Sequence, residues 1–330
     1  MSIPLANSDL EAVIAPRLDL VEERLRDAVA QSDSLAQATS RHLVDAGGKR
    51  LRPLLTLLAA QLGDGSRPEV LDAAVVVELT HLATLYHDDV MDSAPTRRGA
   101  PSAHEVWGNS VAILTGDLLF ARASRVVAGL GPDAVRIQAE TFERLCLGQL
   151  HETVGVAEGE DPVEHYLQVL ADKTGSLIAT SARFGAMFAG CERSIVRQVT
   201  EYGELAGVAF QLADDVIDLR SDAATTGKTP GTDLREGVAT MPVLLLRARV
   251  AADGDEGDAR LLARLGEDLT DDAVLAEVVA EFAAHPVVDE TAALARRWSE
   301  QAAGAVARLP GGPVKDALES FAEALVARAS

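Results

Sequence analysis

Two strongly apolar helical segments, each ending in the pattern Asp-Asp-x-x-Asp before a loop, constrain this chain most. The acidic residues are Asp88, Asp89 and Asp92 in the first segment and Asp214, Asp215 and Asp218 in the second. Residues at i, i+1 and i+4 share a helix face, and a helix this apolar is mostly buried. Because buried carboxylates are costly unless cations compensate them, the two segments predict an acidic, cation-binding site.

Magnesium is the cation that these two clusters favour. It prefers carboxylate oxygens and shares its coordination shell with substrate phosphates. One such cluster alone fits a solvated acidic helix end, since the chain is rich in aspartate. Two clusters with the same spacing, each at the end of an apolar helix, argue against that alternative.

Helical periodicity runs along nearly the whole chain, and no alternating strand pattern interrupts it. Gly47-Gly48, Pro53 and the Asp161-Pro162 pair mark helix ends and starts, with Asp161 read as an N-cap and Gly175 as a kink. The predicted helices cover residues 10–29, the stretch before 47, 53–62, 68–92, 103–128, 133–156, 162–189 and 194–219, followed by shorter ones with breaks near 254–257, 286 and 310–313. We therefore predict an all-α fold, a single domain over residues 1–330 forming an antiparallel bundle or barrel around a deep central cavity, with a flexible N-terminus at 1–9.

The charge balance excludes several function classes. The 330 residues carry 51 acidic and 30 basic side chains, a net charge of -21, which disfavours nucleic acid and anionic membrane surfaces.

Cys146 and Cys191 fit neither a disulfide framework nor a zinc site and are expected to be buried thiols. The sequence shows neither a signal peptide nor an apolar stretch long enough to span a bilayer. We predict a cytoplasmic protein with at most transient membrane contact.

Basic residues cluster around the aspartates. The segments are Gly47–Pro53 with Lys49 and Arg52, Arg97–Gly99 with Arg98, Lys173–Gly175 with Thr174, and Gly227–Gly231 with Lys228. Each alone fits a solvated turn, and the last lacks a P-loop frame. His81, on the aspartate face, is either a core histidine or a diphosphate donor. Together these cations predict two polyphosphate sites, one bound through metal and one bound directly by Lys and Arg.

The sequence resembles the all-trans polyprenyl diphosphate synthase family, through six segments that occur in order. They are GGKRLRP at 47–53, HLATLYHDDVMDSAPTRRG at 81–99, GDLLF at 116–120, DKTGSL at 172–177, FQLADDVIDL at 210–219 and GKTPGTDLREG at 227–237. One position departs from the family pattern, because Val238 stands where many members have a lysine. That departure bears only on an auxiliary phosphate contact.

The resemblance implies an all-helical fold, usually a homodimer, that uses Mg²⁺, about three ions with substrate bound, and no organic cofactor. It implies condensation of isopentenyl diphosphate with an allylic prenyl diphosphate. Lys49, Arg52, His81 and Arg98 would bind isopentenyl diphosphate, and Arg97, Lys173, Thr174, Gln211 and Lys228 would bind the allylic diphosphate. Asp88, Asp92 and Asp214 would bind the metal, with Asp89, Asp215 and Asp218 supporting them; these aspartates and Lys173 would be the catalytic set.

Ala83 and Thr84 are expected to set the product length. They lie one turn before Asp88, and helical side chains lean towards the N-terminus, into the expected tunnel. Short-chain members of the family often have an aromatic floor there, so small residues predict a long product, about seven to ten isoprene units by family analogy. A deeper residue could set the floor instead, which leaves a geranylgeranyl or farnesyl diphosphate synthase as one alternative.

An alternative from a different functional class is a non-catalytic subunit of a heteromeric synthase. Such a subunit is expected to lose aspartates, and all six are present. A terpene cyclase or head-to-head synthase would not need the Lys49, Arg52 and Arg98 set.

Overall fold

The computed structural model describes residues 7–220 and 230–327. The first helices are α1 (Ser8–Ala28), α2 (Ser34–Asp45), α3 (Leu51–Ala60) and α4 (Pro68–Met91). A hairpin of β1 (Thr96–Arg97) and β2 (Ala100–Pro101) follows. The next helices are α5 (Ala103–Trp107), α6 (Asn109–Ala128), α7 (Pro132–Val154), α8 (Pro162–Leu170), a π-helical turn (Ala171–Gly175), α9 (Ser176–Phe188) and α10 (Arg193–Arg220).

Six further helices complete the described chain: α11 (Thr232–Arg235), α12 (Met241–Asp253), α13 (Glu256–Arg264), α14 (Asp272–Ala283), α15 (Pro286–Ala305) and α16 (Pro313–Val326). The predicted all-α class is confirmed, since the two-residue hairpin is the only sheet within the described residues. None of the described helices is long and apolar enough to cross a membrane.

Several helix ends differ from the prediction by a few residues, and two of the differences have a clear local cause. The helix predicted over 103–128 is two helices, because Gly108 takes a left-handed φ of 82° that interrupts it. Residues 8 and 9, predicted to belong to a flexible N-terminus, are helical, because the Asn7 side chain accepts hydrogen bonds from the amides of Asp9 and Leu10. Asp161 caps α8 as predicted, with Pro162 in the first turn.

Residue contacts group the chain into two compact units. The first is drawn from Met1–Arg144, Ser176–Gly203 and Ala305–Ser320, and the second from Leu145–Gly175, Glu204–Gly304 and Phe321–Ser330, over the residues described. The expected single domain with a deep central cavity remains a prediction.

Small residues allow close helix packing in the first unit. Gly185 of α9 lies against the carbonyl of Thr56 in α3, where a Cβ would overlap that oxygen. Gly116 of α6 lies in the same way against the His87 ring and the Ala83 carbonyl of α4. Small residues at these positions therefore allow the helix backbones to approach one another closely.

The second unit has its own apolar core. Leu212 and Val216 of α10, Leu246 of α12 and Phe282 of α14 are buried in it together. Each fully buried aliphatic or aromatic side chain contributes about 1.5–3 kcal/mol. Packing of α10 against this core fixes the orientation of the helix, and with it the position of the second aspartate cluster.

Candidate active site

The first aspartate cluster lies at the C-terminal end of α4, and its three carboxylates differ in exposure. Asp88 is half-buried, Asp89 is fully buried and Asp92 is exposed. The expectation that all three are buried is therefore wrong, because α4 ends at Met91 and Asp92 is its C-cap. Asp89 accepts a hydrogen bond of 2.6 Å from Arg97 Nε, while its other oxygen is buried without a hydrogen-bond partner.

The predicted cations of the first unit lie close enough to influence one another. Burial lowers the pKa of Arg52 to about 10, with the charges of Glu78, Arg98 and Asp88 acting on it as well. Burial first, and then the charges of Arg52 and Arg98, hold the pKa of His81 well below its usual value. His81 is therefore neutral at physiological pH and can donate a hydrogen bond without adding charge.

Arg98 rests on the glycine loop. Its guanidinium donates to the carbonyl of Leu43 at 3.0 Å and to that of Gly47. Gly48 has a φ of 148°, and a Cβ there would come within 2.8 Å of Arg98 Cζ. Glycine is required at 48 both for that backbone conformation and to let the guanidinium lie against the loop.

The second aspartate cluster lies at the end of α10 in the second unit. Its exposure follows the first cluster in outline, with Asp215 buried and Asp214 and Asp218 half-buried. Asp215 accepts hydrogen bonds from the Tyr166 hydroxyl at 2.9 Å and from the Met241 amide at 3.2 Å. Its other oxygen is buried and unpartnered. Burial, and then the charge of Asp233, raise the pKa of Asp215 well above its usual value.

Three of the residues predicted to bind the allylic diphosphate, Lys173, Thr174 and Gln211, lie in the same unit, whereas Arg97 lies in the first unit. The π-helical turn contains Lys173 and Thr174, and the Thr174 hydroxyl donates to Gln211 Oε1 at 3.3 Å. The Lys173 ammonium pairs with Glu152. A Cβ at Gly148 would come within 2.6 Å of the Lys173 backbone nitrogen, so α7 packs tightly against this turn. Lys228 lies outside the described residues.

Several residues of the two sites were not singled out from the sequence. In the first unit they are Glu78 and Glu22, which form buried or half-buried ion pairs with Arg50; in the second they are Tyr166, Glu152 and Asp233. Glu78 alone had a clear signal, because it interrupts the apolar run Val75–Leu79.

Ala83 is fully buried and Thr84 is half-buried, with its hydroxyl bonded to the His81 carbonyl at 2.8 Å. The Tyr86 hydroxyl donates to the Thr39 carbonyl at 2.5 Å and accepts from the Leu43 amide, which directs its ring towards α2. The cysteines differ from expectation, since Cys146 is exposed and Cys191 half-buried, both as free thiols.

No group of three or more His, Cys, Asp or Glu side chains within the described ranges converges closely enough to enclose a metal ion. The carboxylate donors still fit magnesium, which commonly takes one or two protein carboxylates and completes its shell with water and substrate phosphate. Asp89 and Asp215 each have one buried carboxylate oxygen without a hydrogen-bond partner, which is compatible with a bound magnesium ion.

Comparison with known proteins gives consistent matches. The family model described as polyprenyl synthetase matches residues 33–282. A nonaprenyl diphosphate synthase of Mycobacterium tuberculosis is 43% identical over 99% of this chain and 96% of its own length. The crystal structure of a polyprenyl synthase from Caulobacter crescentus, complexed with calcium and isoprenyl diphosphate, has a TM-score of 0.87 at 31% identity, covering 99% of both chains. A geranylgeranyl pyrophosphate synthase from Corynebacterium glutamicum, complexed with the same two ligands, has a TM-score of 0.86 at 40% identity, again with 99% of both chains covered.

Proposed function

The chain belongs to the polyprenyl synthetase family, and we propose that it extends an allylic diphosphate with isopentenyl diphosphate to give a long all-trans polyprenyl diphosphate. It is a prenyl-transferring enzyme. The observation that carries the substrate assignment is the grouping of cations in the first unit, where the charges of Arg98 and Asp88 act on Arg52 and the charges of Arg52 and Arg98 act on His81. Several cations beside a carboxylate suit a diphosphate anion in a chain that is otherwise strongly acidic.

Magnesium is the proposed metal, bound by Asp88, Asp92 and Asp214, with Asp89, Asp215 and Asp218 supporting them. The calcium and isoprenyl diphosphate in the two solved relatives support a divalent ion at these carboxylates. When bound, the metal neutralises charge on the leaving diphosphate and so favours ionisation of the allylic C–O bond.

The side chains of this protein have separate roles in the proposed reaction. Lys49, Arg52, His81 and Arg98 bind the diphosphate of isopentenyl diphosphate and orient its double bond. The π electrons of that double bond form the new C–C bond to the allylic cation, and the proton lost from the adduct passes to the departing diphosphate. Arg97, Lys173, Thr174, Gln211 and Lys228 bind that diphosphate, and the apolar surroundings exclude water from the cation.

A homodimer and a cytoplasmic location remain predictions. The homodimer is supported by large aliphatic side chains that are exposed in the first unit, Ile113 and Leu114 of α6 and Val135 of α7. Leu114 is 66% exposed, which is unusual for a large aliphatic side chain unless another surface covers it.

Product length is the direct test of the proposed function. The purified chain alone, given an allylic primer, isopentenyl diphosphate and Mg²⁺, is expected to release a product of about seven to ten isoprene units, because we expect the small side chains at 83 and 84 to leave room for the growing chain. Reversed-phase chromatography of the dephosphorylated products measures this. A main product of geranylgeranyl length or shorter would contradict the long-chain assignment, and no turnover would favour a non-catalytic subunit.

Ala83→Phe tests the residue assignment separately. A benzyl side chain there is expected to shorten the main product, while Ala276→Phe, at an exposed position of α14, leaves the product distribution unchanged. Thr84→Phe repeats the test at a half-buried position. Unchanged product length in both folded variants would place the floor deeper.

A further inference from the structure

Arg50 lies between the two predicted diphosphate-binding residues Lys49 and Arg52, but it has a different environment. Its backbone is left-handed, with φ 49° and ψ 38°, at the N-cap of α3. That conformation is uncommon for a residue other than glycine. It accompanies a guanidinium that is buried in the protein, where only 8% of the side chain is exposed.

The Arg50 guanidinium joins three helices of the first unit. It pairs with Glu22 of α1, donates to Glu78 of α4 at 2.7 Å, and donates to the Val44 carbonyl near the end of α2 at 3.1 Å. Burial alone lowers the pKa of Arg50, but the bonds with Glu22 and the charge of Glu78 outweigh it and raise that pKa. Arg50 therefore stays charged.

Glu78 is the partner that matters for the site. It is 1% exposed and precedes His81 by three residues, so the two lie on the same side of α4. Its charge also acts on Arg52 and Arg98, two of the proposed diphosphate-binding residues. A fixed negative charge this close opposes an incoming diphosphate, and it competes for the same guanidinium groups.

The ion pair with Arg50 offsets that charge. A buried carboxylate that loses its partner must find another cation, because leaving it unpaired is costly. The available cations are Arg52 and Arg98, on which the Glu78 charge already acts. Pairing with either would turn a guanidinium away from the substrate.

We propose that Arg50 is a positioning residue, which sequesters the Glu78 carboxylate and so keeps Arg52 and Arg98 available for the diphosphate of isopentenyl diphosphate. This inference rests on the proposed function. Arg50 does not need to touch the substrate for this role.

A double-mutant cycle tests the proposal with four proteins: wild type, Arg50→Gln, Glu78→Gln and the double variant. Arg50→Gln is expected to raise the KM for isopentenyl diphosphate about tenfold, which corresponds to about 1.4 kcal/mol, because Glu78 then recruits Arg52 or Arg98. The KM for the allylic diphosphate should change much less. Glu78→Gln is expected not to raise the KM for isopentenyl diphosphate, and the double variant should return it to near the wild-type value.

The matched control is Arg24→Gln. Arg24 and Asp72 also pair α1 with α4, but their side chains are 38% and 42% exposed. This variant should leave both KM values unchanged, which separates the effect of the buried charge from a general loosening of the two helices.

The outcomes discriminate clearly. If the double variant keeps the Arg50→Gln defect, or if Glu78→Gln alone reproduces it, the pair acts as a structural tie and the proposal is wrong. An equal rise in both KM values overturns it too. If Arg50→Gln does not fold, as judged by thermal unfolding, the double variant must still fold and bind isopentenyl diphosphate normally. An inactive wild type would instead contradict the proposed function, so the two failures are distinguishable.

Discussion

The two aspartate clusters have the same spacing and similar exposure, yet their buried central residues have opposite electrostatic surroundings. Asp89 receives a guanidinium from Arg97 on the hairpin that follows its helix. Asp215 accepts hydrogen bonds from the Tyr166 hydroxyl and the Met241 backbone amide, and Asp233 adds negative charge nearby. Asp89 is thus paired with a cation, whereas burial and the charge of Asp233 raise the pKa of Asp215. The electrostatic surroundings of the same five-residue motif are therefore determined by the residues that pack against it.

The surrounding cations follow the same division. The first unit gathers Arg52, Arg98 and the neutral His81 around Asp88. In the second unit, Lys173 is already paired with Glu152. The first cluster is thus set within a cationic anion-binding region, and the second within a more acidic one, where a bound metal would have the larger effect on the balance of charge.

The largest expected effect tests whether the clusters are equivalent in catalysis. Asp88→Ala and Asp214→Ala should each lower kcat by about a thousandfold, because each removes a carboxylate proposed to bind the metal that stabilises the leaving diphosphate. Steady-state turnover at saturating substrate measures this. Asp133→Ala, an exposed aspartate of α7, is the control and should retain full activity. A loss at only one of the two positions would show that a single cluster carries the chemistry.

The next effect separates the two buried aspartates in the metal-free protein. Asp89→Asn should lower the free energy of unfolding by about 1–2 kcal/mol, since it leaves the partly exposed Arg97 without its carboxylate. Asp215→Asn should not lower it at neutral pH and is expected to raise it, because burial and the charge of Asp233 make a charged Asp215 unfavourable in the folded protein. Denaturant unfolding with a chelator present gives both values. Equal losses would contradict the proposed difference between the two electrostatic environments.

The smallest effect is a difference in pH dependence. The pKa of His81 is lowered on folding, so its unfavourable contribution to stability appears as pH falls below about 6.5, the value in the unfolded chain. The pKa of Asp215 is raised, so its contribution is favourable at acid pH and is lost as pH rises from about 3.9 through the folded value.

His81→Gln should therefore flatten the loss of stability on acidification, by about 1 kcal/mol at pH 5.5. Asp215→Asn should reduce the loss of stability that occurs as pH rises above about 3.9. Thermal unfolding of the metal-free proteins across pH measures both. If either variant has the wild-type profile, the corresponding group does not titrate as described.

The helical architecture was largely predictable because local signals determine it. Pro68 in the first turn of α4, the Asp161 cap of α8 and the glycine at 175 each mark a boundary or an irregularity that the structure contains. The prediction missed Gly108, because a single glycine between two good helix formers does not reveal its φ. It also missed the hairpin at 96–101, whose strands are only two residues long.

The candidate site was predictable in part. Residues that belong to compact motifs, such as Arg52, His81 and Asp88, were found, since spacing on a helix face is visible in one dimension. Tyr166 lies 49 positions from Asp215, and Glu22 lies 28 from Arg50. Pairs of that separation leave no local pattern.

The sequence by itself determined that the chain is helical, that two apolar helices end in acidic clusters, and that cations accompany them, because helix periodicity and motif spacing are properties of neighbouring residues. Only the tertiary structure decided which buried aspartate meets a guanidinium and which meets a phenol, and that Arg50 faces Glu78. The physical reason is that charge state and ion pairing depend on burial and on distance in space. Both are produced by packing among segments that are far apart along the chain.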